Sequence, residues 1–354
     1  PKGGTTMKKF WFVSATLAIF LVLAACAAPA PATVIVTSAP VVQTVIQTAE
    51  SSQGSQEIAV IVKTGNSSFW QNVQTGAMDA QSELKKDMPK MTVTFLGAQS
   101  ESNINEQINI VESAIDRGVK AIVLAPSDVT ALQPAVKKAH DAGIPVVIID
   151  SKLEGDDSTY VSFLATDNKA AGEACAKALI DGVKAATGKD EGKIAVMSYV
   201  AGVGSEVGRV GGFKDYIAAN SKLEIIDTQY SNSDMPTALN QTTNILNAHP
   251  DLVGIFGANE PTAIGMGQAI KAAKLEGKIV AIGFDGNSVL AGFIRDGTLQ
   301  AIAVQSSYNM GYLGVMTAYK VAFLNETVEK FVDTGFLMVT KDNIDSQDAK
   351  NVLY

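Results

Sequence analysis

From Glu57 onward the chain alternates short apolar runs with stretches whose apolar residues recur every three to four positions. The runs at 58–62, 91–96, 121–124 and 146–149 are rich in β-branched residues. Between them the helical period predicts helices over about 70–87, 104–117 and 129–142. Continuous apolar runs separated by helices indicate parallel strands covered on both faces, because each crossover lays a helix on the sheet. The same rhythm resumes with a strand at 193–197, a helix at 206–220, a strand at 223–228 and a helix at 235–247. Strands at 252–256, 279–284 and 301–304 follow. The expected fold is α/β: two similar doubly wound parallel-sheet domains of about five strands each.

The segment ahead of Glu57 has a different pattern. Met7-Lys8-Lys9 precedes an apolar stretch over 10–25 that ends in Leu23-Ala24-Ala25-Cys26. A basic start, an apolar middle and small residues before the break make a secretory signal. The stretch is shorter than the roughly 20 residues of a membrane span. Leu-Ala-Ala-Cys resembles the bacterial lipoprotein signal, which implies cleavage before Cys26 and lipidation of its sulfur. Residues 1–26 are therefore expected to be a signal peptide, with Pro1 to Thr6 ahead of the start at Met7. Residues 27–56, almost uncharged and rich in Ala, Pro, Thr, Val, Ser and Gln, read as a flexible tether. Such a tether reaches about 30 Å. The folded part is then extracytoplasmic and held to a membrane through its lipid anchor.

Composition narrows the function. The chain is 47% hydrophobic and 18% charged, and its 354 residues suit two cores. Its net charge of −8 argues against a nucleic-acid partner, which needs clustered Lys and Arg. Of two cysteines, Cys26 is reserved for lipid and Cys175 lies in a small-residue helix, where a packed thiol is expected. His140 and His249 fall near predicted helix C-termini. No HExxH, CxxC or histidine cluster occurs, so neither a metal nor a cofactor is expected.

In open α/β sheets, ligands bind outside the carboxyl ends of the strands. Reading off those ends gives Lys63, the segment through Phe69 and Trp70, Asp150, Arg209 after a glycine-rich loop, Asn259-Glu260, Asp285 and Gln305. Carboxylates and amides facing a guanidinium and an ammonium suit a polyhydroxyl ligand, since each hydroxyl both donates and accepts. An aromatic ring suits the apolar C–H face of a sugar. Each residue also has a plainer reading. Asp285 before Gly286 can start a turn, and Asp150 before Ser151 can cap a loop. Phe69 and Trp70 can be core residues at a helix start, and Arg209 and Lys63 can be surface charges. The case rests on their joint placement. Asp128 and Asp167 read instead as helix N-caps.

Ser68-Phe69-Trp70, Ala125-Pro126-Ser127-Asp128, Gly143-Ile144-Pro145 with the run to Asp150, and Ala165-Thr166-Asp167-Asn168 occur in order. Gly208-Arg209-Val210-Gly211-Gly212-Phe213, Ala258-Asn259-Glu260, Gly283-Phe284-Asp285-Gly286 and Gln305 complete the set. In this order and spacing the chain resembles the ribose-binding-protein group of type I periplasmic binding proteins, the sugar receptors of ABC importers. The resemblance covers 57–341. It implies sugar contacts at Phe69, Trp70, Asp150, Arg209, Asn259, Asp285 and Gln305, with Lys63 and Ser67 at further contact positions. Two departures stand out. Ser151 replaces an arginine, leaving Lys63 as the compensating donor, and a ribose-stacking Phe aligns near Ser233, with Met235 close by. The expected ligand is therefore a monosaccharide or sugar alcohol related to ribose. The resemblance also implies a three-segment hinge near Thr166, Ser306 and Gly335. The N-terminal domain would be 57–166 plus 306–334, and the C-terminal domain 167–305 plus 335–354. Further implications are a monomer, capture by closure, delivery to an ABC transporter permease with its ATPase, and no enzymatic turnover.

Three alternative readings exist. LacI-type repressors share the architecture but carry a basic DNA-binding segment where this chain has a signal and tether. A nucleotide enzyme is disfavoured because the glycines of 202–208 miss the dinucleotide spacing and no acid–base constellation accompanies them. A receptor presenting a sugar, or a furanose signal such as autoinducer-2, to a chemoreceptor or sensor kinase differs only in its partner.

Overall fold

The computed structural model describes residues 55–354. Cys26 and all but Ser55 and Gln56 of the tether fall outside the described residues. In the first lobe, β1 (Glu57–Thr64), α1 (Ser68–Leu84), β2 (Thr92–Ala98), α2 (Ile104–Asp116), β3 (Ala121–Leu124), α3 (Gln133–Asp141), β4 (Val146–Ile149) and β5 (Ser162–Ala165) follow one another. In the second come α4 (Asn168–Thr187), β6 (Glu191–Ser198), α5 (Gly204–Asn220), β7 (Lys222–Tyr230), α6 (Met235–Ala248) and β8 (Leu252–Gly257). Then come α7 (Glu260–Ala272), β9 (Val280–Phe284), α8 (Ser288–Asp296) and β10 (Ala301–Gln305). The chain returns to the first lobe for α9 (Ser307–Leu324) and β11 (Phe331–Asp333), and ends in the second with β12 (Phe336–Thr340) and α10 (Gln347–Val352).

The two sheets have strand orders β11-β5-β4-β3-β1-β2 and β12-β10-β9-β8-β6-β7. All pairings are parallel except β10 with β12. Each sheet has an apolar core on both faces, as doubly wound sheets require. Ile58, Val60 and Val62 point to one core of the first lobe and Ala59 and Ile61 to the other. That alternation is why β1 reads as an unbroken apolar run.

Three expectations need correction. Each sheet has six strands, not about five. The additions β5, β11 and β12 are short, and β11 and β12 lie at sheet edges, where sequence patterning is weakest. Helix α3 begins at Gln133, not at 129, because Asp128 accepts from the backbone N–H of Thr130 and Ala131 and holds a separate turn. Asp128 thus closes that turn and is not the cap of α3, whereas Asp167 does cap α4, accepting from Ala170 N at 3.0 Å.

Close helix pairs brace each lobe. A Cβ on Gly76 would stand 2.0 Å from Tyr308 O and one on Gly311 1.9 Å from Val73 O, so α1 and α9 touch backbone to backbone. A Cβ on Gly172 would meet Arg209 O at 2.0 Å, which sets α4 equally tightly against α5. Cys175, on the same helix α4, is fully buried, and burial pushes its thiol up to about 12, so it packs and does not react. His140 lies in the last turn of α3, and His249 is the C-cap of α6. No helix among the described residues is long and apolar enough to cross a membrane.

Candidate functional site

The carboxyl ends of the two sheets face one another across a cleft. Between them lies a small cavity. Lys63, Ser67, Phe69, Trp70, Asp150, Arg209, Asn259, Asp285 and Gln305 all line it. Ser151 lies immediately behind, with its hydroxyl 2.7 Å from Lys63 Nζ.

Asp150 and Asp285 are the first residues past β4 and β9. Ser67 and Asn259 cap α1 and α7, accepting from Trp70 N and Thr262 N. These caps satisfy free N–H groups of a helix start while keeping the residue at the cleft. Trp70 and Phe69 are 2% and 5% exposed and meet edge to face with centroids 4.8 Å apart. They are core residues of the first lobe that also form a wall of the cavity.

The surface readings of Lys63 and Arg209 do not hold, since each is only 2% exposed. Lys63 Nζ donates to Asp150 Oδ2 at 2.6 Å and Ser151 Oγ at 2.7 Å, and reaches Ser205 Oγ of the opposite lobe at 3.4 Å. It therefore holds Asp150 and Ser151 in place and links the lobes. Arg209 donates through Nε and Nη2 to Asn168 Oδ1 and through Nη1 to Ala258 O at 2.6 Å. Its guanidinium stacks 3.6 Å from the centroid of Phe284. A guanidinium carries five N–H groups, so donors remain for a ligand.

Asp285 accepts from Glu260 N at 2.8 Å and from Gln305 Nε2 at 2.9 Å. Burial raises its carboxyl to about 6 against the opposing pull of Arg209. Gln305 Oε1 is buried without a hydrogen-bond partner. Buried acceptors are nearly always satisfied, so an orphan beside a cavity is a place where a ligand hydroxyl fits.

Sequence reading missed Glu101, Tyr199 and Ser205 as cavity residues, and Glu260 beyond its place beside Asn259. Tyr199 directly follows β6 and Glu101 lies three residues past β2, so the strand-end rule applied to every strand would have reached both. Ser205 sat within the glycine-rich loop. Glu260 accepts from Ser68 N of the other lobe at 2.9 Å and from the Tyr354 hydroxyl at 3.1 Å. Burial, then the neighbouring Asp285, raises its carboxyl to about 7.

Residues 58–326 match the periplasmic binding protein domain family. The chain belongs to that family. Among solved structures, it is 62% identical to an ABC transporter solute-binding protein from Agrobacterium vitis with bound D-fucose. That match has a TM-score of 0.81 and covers 84% of this chain and 100% of the other. A carbohydrate transporter solute-binding protein from Agrobacterium radiobacter, in complex with D-arabinose, is 36% identical with a TM-score of 0.80, covering 85% and 99%. The D-ribose/D-allose-binding protein of Pseudomonas aeruginosa is 30% identical over 75% of this chain and 81% of its own length. For a periplasmic binding protein, a cleft between two lobes lined by hydroxyl-matching groups is the expected seat of the ligand, and the cavity stands there.

Proposed function

We propose that this chain is an extracytoplasmic solute-binding lipoprotein, anchored through Cys26, that captures a monosaccharide by lobe closure and delivers it to an ABC permease. The observation that carries the reading is the convergence, from both sheets, of Asp150, Arg209, Asn259, Asp285 and the unpartnered Gln305 Oε1 around one buried cavity. D-Fucose, bound by the 62% identical relative, is the first ligand to try, ahead of ribose.

In this reading the sugar meets one lobe first, and the second then shuts over it through connections near Thr166, Ser306 and Gly335. The domains divide as 57–166 plus 306–334 and 167–305 plus 335–354. Closure removes water from the polar wall, so a sugar with one hydroxyl misplaced leaves a buried group unpaired, and this gives stereochemical selectivity. Lys63, Ser67 and Ser151 shape the wall, and Phe69 and Trp70 take the apolar face of the ring. The protein acts as a monomer and turns nothing over.

The test is a thermal-shift panel of pentoses, hexoses, 6-deoxyhexoses and sugar alcohols on residues 48–354, which form one compact unit. A ligand at 100 times its Kd adds about 2.7 kcal/mol of stability. A clear shift with D-fucose or a close stereoisomer supports the reading. A folded sample that shifts with none of the panel refutes it.

A further inference from the structure

The geometry points to Glu101 as a positioning residue for sugar capture, joining the Trp70 indole of its own lobe to Ser233 of the opposite lobe. The inference rests on the sugar-binding reading above and adds a residue which that reading does not use.

Glu101 follows β2 in the first lobe and is 7% exposed. Its Oε1 accepts from Trp70 Nε1 at 2.8 Å, and its Oε2 accepts from Ser233 Oγ at 2.6 Å. Ser233 in turn accepts from Asn259 Nδ2 at 2.9 Å, and Asn259 caps α7. One continuous chain of hydrogen bonds therefore runs from the aromatic wall of the first lobe to a polar wall residue of the second. Bonds to a carboxylate are the stronger kind, and linked bonds reinforce one another.

Ser233 is held for this contact. It and Asn232 both adopt left-handed backbone, with φ of 57° and 55°. Two successive non-glycine residues in that region are strained. The turn is pinned by Ser231 N to Ser198 O, Asn232 N to Tyr199 O and Asp234 N to Ser231 O. The result is a hydroxyl presented across the cleft to Glu101.

The Ser233 bond joins opposite lobes, so it forms only when the cleft shuts. Closure then fixes the Trp70 ring plane through Glu101 and the Asn259 amide through Ser233 together. The carboxylate also lines the cavity, next to the ring it orients.

The experiment uses residues 48–354, in which Trp70 is the only tryptophan, so intrinsic fluorescence reports on this indole alone. D-Fucose is titrated into the wild type, Glu101→Ala, Glu101→Gln and Ser233→Ala, with circular dichroism confirming the fold. Wild type should change its emission on saturation. Glu101→Ala should weaken binding about 10- to 100-fold and lose the ligand-linked change. Glu101→Gln, which keeps an acceptor for the indole N–H, should recover part of both. Ser233→Ala should leave the ligand-free emission unchanged and weaken binding several-fold. Glu101→Ala that binds within twofold of wild type with the same emission change overturns the inference. Ser233→Ala that matches wild type overturns its cross-cleft half. A wild type silent to D-fucose and to the whole sugar panel overturns the sugar reading and this inference with it.

Discussion

Asp150 and Asp285 occupy equivalent places in the two lobes. Each is the first residue past a parallel strand, and each has left-handed backbone, with φ of 63° and 71°. Each donates its N–H to the next strand, to Leu164 O at 3.0 Å and to Ala303 O at 2.8 Å. Left-handed backbone costs a non-glycine residue about 1–3 kcal/mol and persists only where the surroundings hold it. Here it turns both carboxylates into the same cavity. Their surroundings differ, and so do the expected consequences of changing them.

Asp285→Asn keeps the shape and tolerates the left-handed backbone. Because burial disfavours the ionised form of Asp285, the variant should melt within a few degrees of wild type. Sugar affinity, read by calorimetry, should fall about 10- to 100-fold with the loss of a charged hydrogen bond. Unchanged affinity would remove Asp285 from the site.

Asp150→Asn leaves the buried Lys63 ammonium without its counter-ion. Breaking one side of such a pair costs about 3 kcal/mol or more. Denaturant unfolding should show that loss. Adding Lys63→Met should restore much of it, since the double variant buries no unpaired charge. A double variant no more stable than Asp150→Asn alone would mean the ion pair is not what holds this wall.

Glu260 gives the pH dependence its sign. In the shut cleft its carboxyl is raised from the ordinary 4.5 to about 7, chiefly by burial, and opening the cleft relieves that burial. Closure therefore takes up a proton. The advantage is fully present below about 4.5 and is lost as pH rises through about 7. Sugar affinity should fall between pH 5.5 and 7.5 by on the order of tenfold relative to Glu260→Gln, whose profile should be flatter. Parallel profiles for the two proteins would show that Glu260 does not titrate on closure.

Gly172→Ala tests the link between helix packing and the site. A Cβ there meets Arg209 O at 2.0 Å, so α5 must move and carry the guanidinium with it. Melting temperature and sugar affinity should drop together. Gly211→Ala in α5, with nothing within 4 Å of the added carbon, should instead be neutral or stabilise by up to about 1 kcal/mol. A Gly172→Ala protein with native affinity would separate packing from binding.

Most of the fold is legible in the sequence because strands buried on both faces leave unbroken apolar runs, as in Ile58 to Val62. The legibility fades where burial is partial. Phe331 is half-exposed in a three-residue edge strand, and β12 pairs antiparallel after a return from the other lobe, which no local pattern encodes. The strand-end rule locates the cavity, since parallel strands aim their carboxyl ends at one side. It cannot rank residues within a loop. Glu101 stands in a polar run, Gln99 to Asn103, where a buried carboxylate looks like its solvated neighbours. The strand-end rule brings Lys63 to the cavity, but its bonds to Asp150 and Ser151 are set by tertiary distance, which no local pattern encodes.

Capture of a single sugar in the cleft can be read by isothermal titration of residues 48–354 with D-fucose. Saturable one-to-one binding is expected, weakened at least about tenfold by Asp285→Asn. Absence of heat with D-fucose and its stereoisomers, from a folded and sugar-free sample, would contradict it.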